Sequence, residues 1–118
     1  MTPRIFLVDD DVAVRRAFGR LLGTLELPVT ACADGAALFA AFEPRQGGCI
    51  VLDLDLPGES GLDIQQALRE RGIDMPLIFL TGKGSVASTV KALKAGAFDF
   101  LEKPVESDLL LSCVRDAL

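Results

Sequence analysis

The stretch Cys49-Ile50-Val51-Leu52-Asp53-Leu54-Asp55-Leu56-Pro57-Gly58 decides the fold. Its first four residues are apolar without a polar alternation, the pattern of a strand covered on both faces, and an acid stands at the strand's end. Working outward, the same pattern recurs in Ile5-Phe6-Leu7-Val8, which runs into Asp9-Asp10-Asp11, and in Leu77-Ile78-Phe79-Leu80, which runs into Thr81. A run from Val29 to Ala33 and a shorter one around Phe98 to Leu101, followed by Lys103-Pro104, complete the set.

Helix-period segments separate these runs. Val14, Ala17, Phe18, Leu21, Leu22 and Leu25 form one apolar stripe at i, i+3, i+4, i+7, i+8 and i+11. Asp34 is placed to cap a second helix over 36–42, which Pro44 and Gly47-Gly48 end. Ile64, Ala67 and Leu68 mark a third, closed by Gly72. Val86, Val90, Leu93 and Ala97 mark a fourth, with Ser85 as its cap and Gly96 near its end, and a fifth runs from Ser107 onward. Five β/α pairs call for a parallel sheet wrapped by helices on both sides, with right-handed crossovers. In such a sheet all strand ends meet at one edge, and ligands bind in the crevice there.

The chain has 118 residues, half of them hydrophobic and 25% charged, which suits one ordered domain over 1–118 and excludes intrinsic disorder. No apolar run approaches the roughly 20 residues of a membrane span, and Met1-Thr2-Pro3-Arg4-Ile5 lacks a signal peptide's apolar stretch. The expectation is a soluble, cytoplasmic domain that does not touch the membrane. Twelve Lys and Arg against 17 Asp and Glu leave a net charge of −5, which repels phosphodiester backbones and argues against binding nucleic acid unaided. The absence of histidine removes the usual general base and the commonest metal ligand. Cys32, Cys49 and Cys113 are odd in number, far apart and set in apolar stretches, so they read as reduced core thiols.

The polar residues fall where the crevice is expected. Asp9, Asp10 and Asp11 end the first strand, Asp53 the third, Thr81 the fourth and Lys103 the fifth. Isolated acids at strand ends also serve as helix caps, and Asp11 reads as the cap of the first helix. Carboxylates converging from neighbouring strands repel one another unless a cation sits among them. A hard divalent cation such as Mg²⁺ meets that need through one or two carboxylates and several waters, the alternative being a solvated acidic rim.

Together these pieces resemble the receiver domain of bacterial two-component response regulators. The likeness rests on Leu7-Val8-Asp9-Asp10-Asp11, Val51 to Gly58, Leu80-Thr81-Gly82, Lys94-Ala95-Gly96-Ala97 and Phe100-Leu101-Glu102-Lys103-Pro104, in that order. It implies a flavodoxin-like (βα)5 three-layer α/β sandwich. It implies that Asp53 is the phosphoacceptor and that a sensor histidine kinase is the donor. Mg²⁺ would be held by Asp10 directly, by Asp9 mainly through water, by Asp53 and by the backbone carbonyl of Asp55. Lys103 would pair with phosphoryl oxygens, Thr81 would donate its hydroxyl to one of them, and Phe100 would turn inward as that hydroxyl moves. The Lys103–Pro104 peptide would be cis. The resemblance describes a switch rather than a turnover enzyme, although it supplies the groups for its own phosphorylation and slow dephosphorylation.

Asp55 and Lys83 lie two residues past Asp53 and Thr81, and two readings stay open: an ion pair across the mouth of the site, or two solvated charges. The leucines of the fifth helix exceed one buried stripe and read as a partner surface or as a thoroughly buried helix. In the resembled family the face of helix 4, strand 5 and helix 5 serves dimerisation or an output domain. Thr81-Gly82-Lys83-Gly84 and Ala95 to Phe100 are most similar to receivers joined to LuxR-type helix-turn-helix domains. Such an output domain, expected outside this chain, would provide any DNA contact and transcriptional control. A haloacid-dehalogenase-like phosphatase is disfavoured because its metal-binding acids follow the DxD motif, whereas Asp9 and Asp10 precede it. A P-loop fails because Leu77 stands where its first glycine is required. A pseudo-receiver, with the fold but no phosphorylation, is the remaining rival.

Overall fold

A computed structural model describes residues 2–82 and 86–118. The elements alternate as expected: β1 (Arg4–Val8), α1 (Val12–Gly23), β2 (Val29–Cys32), α2 (Gly35–Ala41), β3 (Gly48–Asp53), α3 (Gly61–Glu70), β4 (Leu77–Thr81), α4 (Val86–Lys94), β5 (Asp99–Glu102) and α5 (Ser107–Ala117). The strands form one parallel sheet in the order β2-β1-β3-β4-β5. The chain steps outward from β1 to β2 and then returns past β1 to β3. The topological switch point therefore lies between β1 and β3, where doubly wound sheets open a crevice at their C-terminal edge.

The continuous hydrophobic runs divide by alternation between two cores. Phe6, Val8, Ile50, Leu52, Leu77 and Phe79 face Leu38 of α2, Ile64 and Leu68 of α3, and Ala92 of α4. Ile5, Leu7, Cys49, Val51, Ile78 and Leu80 face Leu22 of α1 and Leu110, Cys113 and Val114 of α5. The side chains of the central strands β1, β3 and β4 thus have helices to pack against on both faces, which is why polar alternation is missing from those runs. Cys32, Cys49 and Cys113 are free and buried.

Local chemistry sets the helix starts. Asp11 and Asp34 accept from the Ala13 and Ala37 N–H groups, both at 2.8 Å, capping α1 and α2. Ser60 and Asp63 form a capping box on α3 that the sequence reading did not single out. Gly47-Gly48 does not end α2, which stops six residues earlier; Gly48 instead opens β3. Its φ of +127° and its approach to Arg4, whose carbonyl oxygen a Cβ would overlap, admit only glycine.

The fourth helix corrects the reading of its apolar stripe. Val86, Val90 and Leu93 are exposed, and Ala92 is the buried residue. The small side chain of Ala92 joins the core on that face of the sheet. On α5 the leucine surplus reduces to Leu109, since Leu110 is buried and Leu111 packs partly against the core. Ser85, expected to cap α4, lies outside the described residues.

Candidate functional site

Sheet register builds the site. Val8 pairs with Leu52, so the residues that follow, Asp9 and Asp53, stand side by side. Asp53 pairs with Leu80, which puts Thr81 one step further, and Thr81 pairs with Glu102, after which comes Lys103. The Lys103 N–H donates to the Thr81 carbonyl at 2.6 Å, extending that ladder to the lysine. The Lys103–Pro104 peptide is cis. Gly61, at the start of α3, lets that helix close against β3: a Cβ there would lie 2.9 Å from Leu54 Cα and 3.1 Å from the Asp53 carbonyl oxygen.

Asp9 is 1% exposed, Asp53 5% and Thr81 0%, an arrangement of buried polar groups that must be satisfied internally. Lys103 Nζ reaches Asp9 Oδ2 at 3.1 Å and Asp53 Oδ2 at 3.3 Å. The second oxygen of each acid accepts a backbone N–H, from Asp11 at 2.9 Å for Asp9 and from Asp55 at 3.0 Å for Asp53. Burial pushes the Asp53 carboxyl above its ordinary value; the Asp55 N–H and the Lys103 charge pull against this, while the Asp9 charge adds to it. Burial alone would lower Lys103, but its hydrogen bond to Asp9 and the charge of Asp53 outweigh that and hold the ammonium above its ordinary range.

Asp10 is exposed at the rim, and oxygens of Asp9, Asp10 and Asp53 lie within 4.8 Å of one another. A donor set of carboxylate oxygens suits a hard divalent cation, so this acidic pocket fits a metal. Asp9, Asp10, Asp53, Thr81 and Lys103 are therefore brought together. Phe100 stands apart, on the α2–α4 side of the sheet, with its ring 5.9 Å from that of Phe79. It lines a surface cavity of about 360 Å³ with Val86, Thr89, Val90 and Glu102.

Two features were not read from the sequence. Arg15 Nη1 donates to the Asp9 carbonyl at 2.8 Å and pins the end of β1; its place one turn after the acidic triplet was the available signal. The Thr81 hydroxyl donates to Asp55 Oδ2 at 3.2 Å. Lys83, the partner expected for Asp55, lies outside the described residues.

The model of the response regulator receiver domain family matches residues 5–115. The chain belongs to that family. The receiver is 42% identical over 115 residues to the response regulator protein TodT of Pseudomonas putida, a match covering 97% of this chain and 50% of TodT. It is 42% identical over 114 residues to the transcriptional regulatory protein FixJ of Azorhizobium caulinodans, covering 97% of this chain and 54% of FixJ. The solved structure of the response regulator StyR superposes with a TM-score of 0.92 at 36% identity, covering all of this chain and 60% of that one. The receiver spans about half the length of the curated relatives it matches. Its sheet and five helices are those of CheY-like receivers. Among the described residues no helix is long and apolar enough to cross a membrane.

Proposed function

We propose that this receiver accepts a phosphoryl group on Asp53 from the phosphohistidine of a sensor histidine kinase, in a Mg²⁺-dependent reaction, and changes conformation in response. The observation that supports this most is Lys103, whose ammonium sits between Asp9 and Asp53 at 3.1 and 3.3 Å. An Asp53 oxygen forms the new bond to phosphorus as the phosphorus–nitrogen bond of the donor breaks. A carboxylate nucleophile repels the incoming group, and three equatorial oxygens carry the charge in flight, so the site must supply positive charge in fixed places.

Asp10 and Asp53, the Asp55 carbonyl, and Asp9 through water would hold Mg²⁺, which when bound neutralises charge on the phosphoryl oxygens. Lys103 exchanges its contact with Asp53 for one with a phosphoryl oxygen, as a compact point charge can. Thr81 donates its hydroxyl to another. The space Thr81 vacates draws Phe100 inward from the cavity it lines with Val86, Thr89 and Val90. The exposed Val86, Val90, Leu93 and Phe98 then offer an altered apolar surface, together with Leu109 of α5, for dimerisation or for an output domain. That output, by analogy with the transcriptional regulatory protein FixJ, is transcriptional, and a LuxR-type DNA-binding domain suits it. The setting is the cytoplasm, and the receiver acts as a switch rather than as a turnover enzyme.

Intact mass after incubation with acetyl phosphate tests this. One added phosphoryl group that requires both Mg²⁺ and Asp53, and is missing in Asp53→Asn, is the expected result. No adduct, together with no binding of beryllofluoride, overturns the reading in favour of a pseudo-receiver.

A further inference from the structure

Asp55 holds the site with its backbone N–H and its carboxylate. Its backbone N–H donates to Asp53 Oδ1 at 3.0 Å, and its carboxylate accepts the Thr81 hydroxyl at 3.2 Å. Thr81 is fully buried, whereas Asp55 is exposed, so the carboxylate reaches inward over the edge of the pocket to meet the hydroxyl. A threonine hydroxyl has a single proton to donate. It can serve Asp55 or a phosphoryl oxygen, not both.

We infer that the Asp55 carboxylate is a built-in competitor for the Thr81 hydroxyl, a positioning residue that holds the unphosphorylated conformation until a phosphoryl group displaces it. The inference rests on the reading of Asp53 as phosphoacceptor. Asp55 occupies the hydrogen-bond position that a phosphoryl oxygen would fill and carries the same sign of charge. A phosphoryl group on Asp53 therefore repels the carboxylate and takes its donor at once. The cost of breaking the Thr81–Asp55 bond is subtracted from the energy with which phosphorylation favours the switched state. Removing the carboxylate should make switching easier while leaving the backbone of residue 55 in place.

The test is beryllofluoride affinity, followed by fluorine NMR at saturating Mg²⁺, for Asp55→Ala and Asp55→Asn in three backgrounds: the native chain, Thr81→Val and Thr81→Ser. Asp55→Ala should bind about three- to tenfold more tightly than the native chain, the range of one hydrogen bond to a partly exposed charged acceptor. Asp55→Asn, whose amide oxygen still accepts but carries no charge, should fall between. The gain should shrink with Thr81→Val, which has no hydroxyl and leaves only the repulsion between the charges, and return in full with Thr81→Ser, which keeps one. Unchanged or weaker binding by Asp55→Ala overturns the competitor, as does a gain that survives undiminished with Thr81→Val, which would mark through-space repulsion. If the native chain and every variant fail to bind, the phosphoacceptor reading itself falls. Binding by the native chain with no Asp55 effect removes the competitor alone.

Discussion

The backbone N–H of Gly35 donates to Oε1 of Glu59 at 2.7 Å, joining the first residue of α2 to the loop that leaves the Asp53 strand. Gly35 is buried, and a Cβ there would sit 3.0 and 3.1 Å from the two Glu59 carboxylate oxygens. The carboxylate satisfies an N–H that α2 cannot pair internally. Glu59→Ala should cost about 1 kcal/mol, the usual worth of a helix N-terminal acceptor, and Glu59→Gln clearly less because its amide oxygen still accepts. Urea unfolding checks both, as a lower midpoint at unchanged slope.

Lys103→Ala leaves Asp9 and Asp53 facing each other without a cation. Stability at pH 7 in chelator should fall by about 2 kcal/mol, below the roughly 3–5 of a fully buried pair because the Lys103 side chain is 27% exposed. Added Mg²⁺ should restore part of the loss by mass action. Labelling by acetyl phosphate, read by intact mass, should slow at least about 100-fold, the scale of losing one fixed charge at a reacting group.

The raised Asp53 value has a definite sign. The folded chain holds this proton more tightly than the unfolded chain, so its contribution to stability is full below the ordinary value of 3.8 and is lost as pH rises through the folded value. Ionisation of the buried Asp53 is therefore a net cost to the folded chain. Asp53→Asn should raise Tm at pH 7 without metal, and the gain should shrink as pH is lowered toward 3.8. Thermal melts across that interval measure it.

Cys49 is pushed up to about 11 by burial, and Cys113 to about 12 by burial and by the Asp99 carboxylate, which its thiol meets at 3.4 Å. At pH 8 neither should react with Ellman's reagent in the folded chain, and all three cysteines should react in guanidinium. Above about pH 9 stability should fall, because unfolded thiols ionise there while these two keep their protons.

Val90→Lys on the outer face of α4 should change stability by no more than about 0.5 kcal/mol, since the side chain is 41% exposed. If that face joins two copies after activation, the variant should stay monomeric in beryllofluoride when the native chain associates. Analytical ultracentrifugation distinguishes the two.

The strands were legible because residues such as Ile50 to Leu52 are covered on both faces, leaving no polar alternation to blur the pattern. The edge residues followed, since parallel register alone sets Asp9, Asp53, Thr81 and Lys103 in a row. The apolar stripe of α4 misled because periodicity marks a face without saying which way it turns. Val86 and Val90 are exposed, and Ala92 is the buried residue of that helix. Contacts such as Gly35 with Glu59, or Thr81 with Asp55, join residues 24 and 26 positions apart through single side chains, and no local pattern announces them.

The split of the interior into two cores has an evolutionary consequence. The sheet seals α1 and α5 from α2, α3 and α4, so side chains on opposite faces share no packing neighbours. Substitutions on the two sides should combine additively. A receiver of this design can be retuned on one flank, for a new partner, without renegotiating the other.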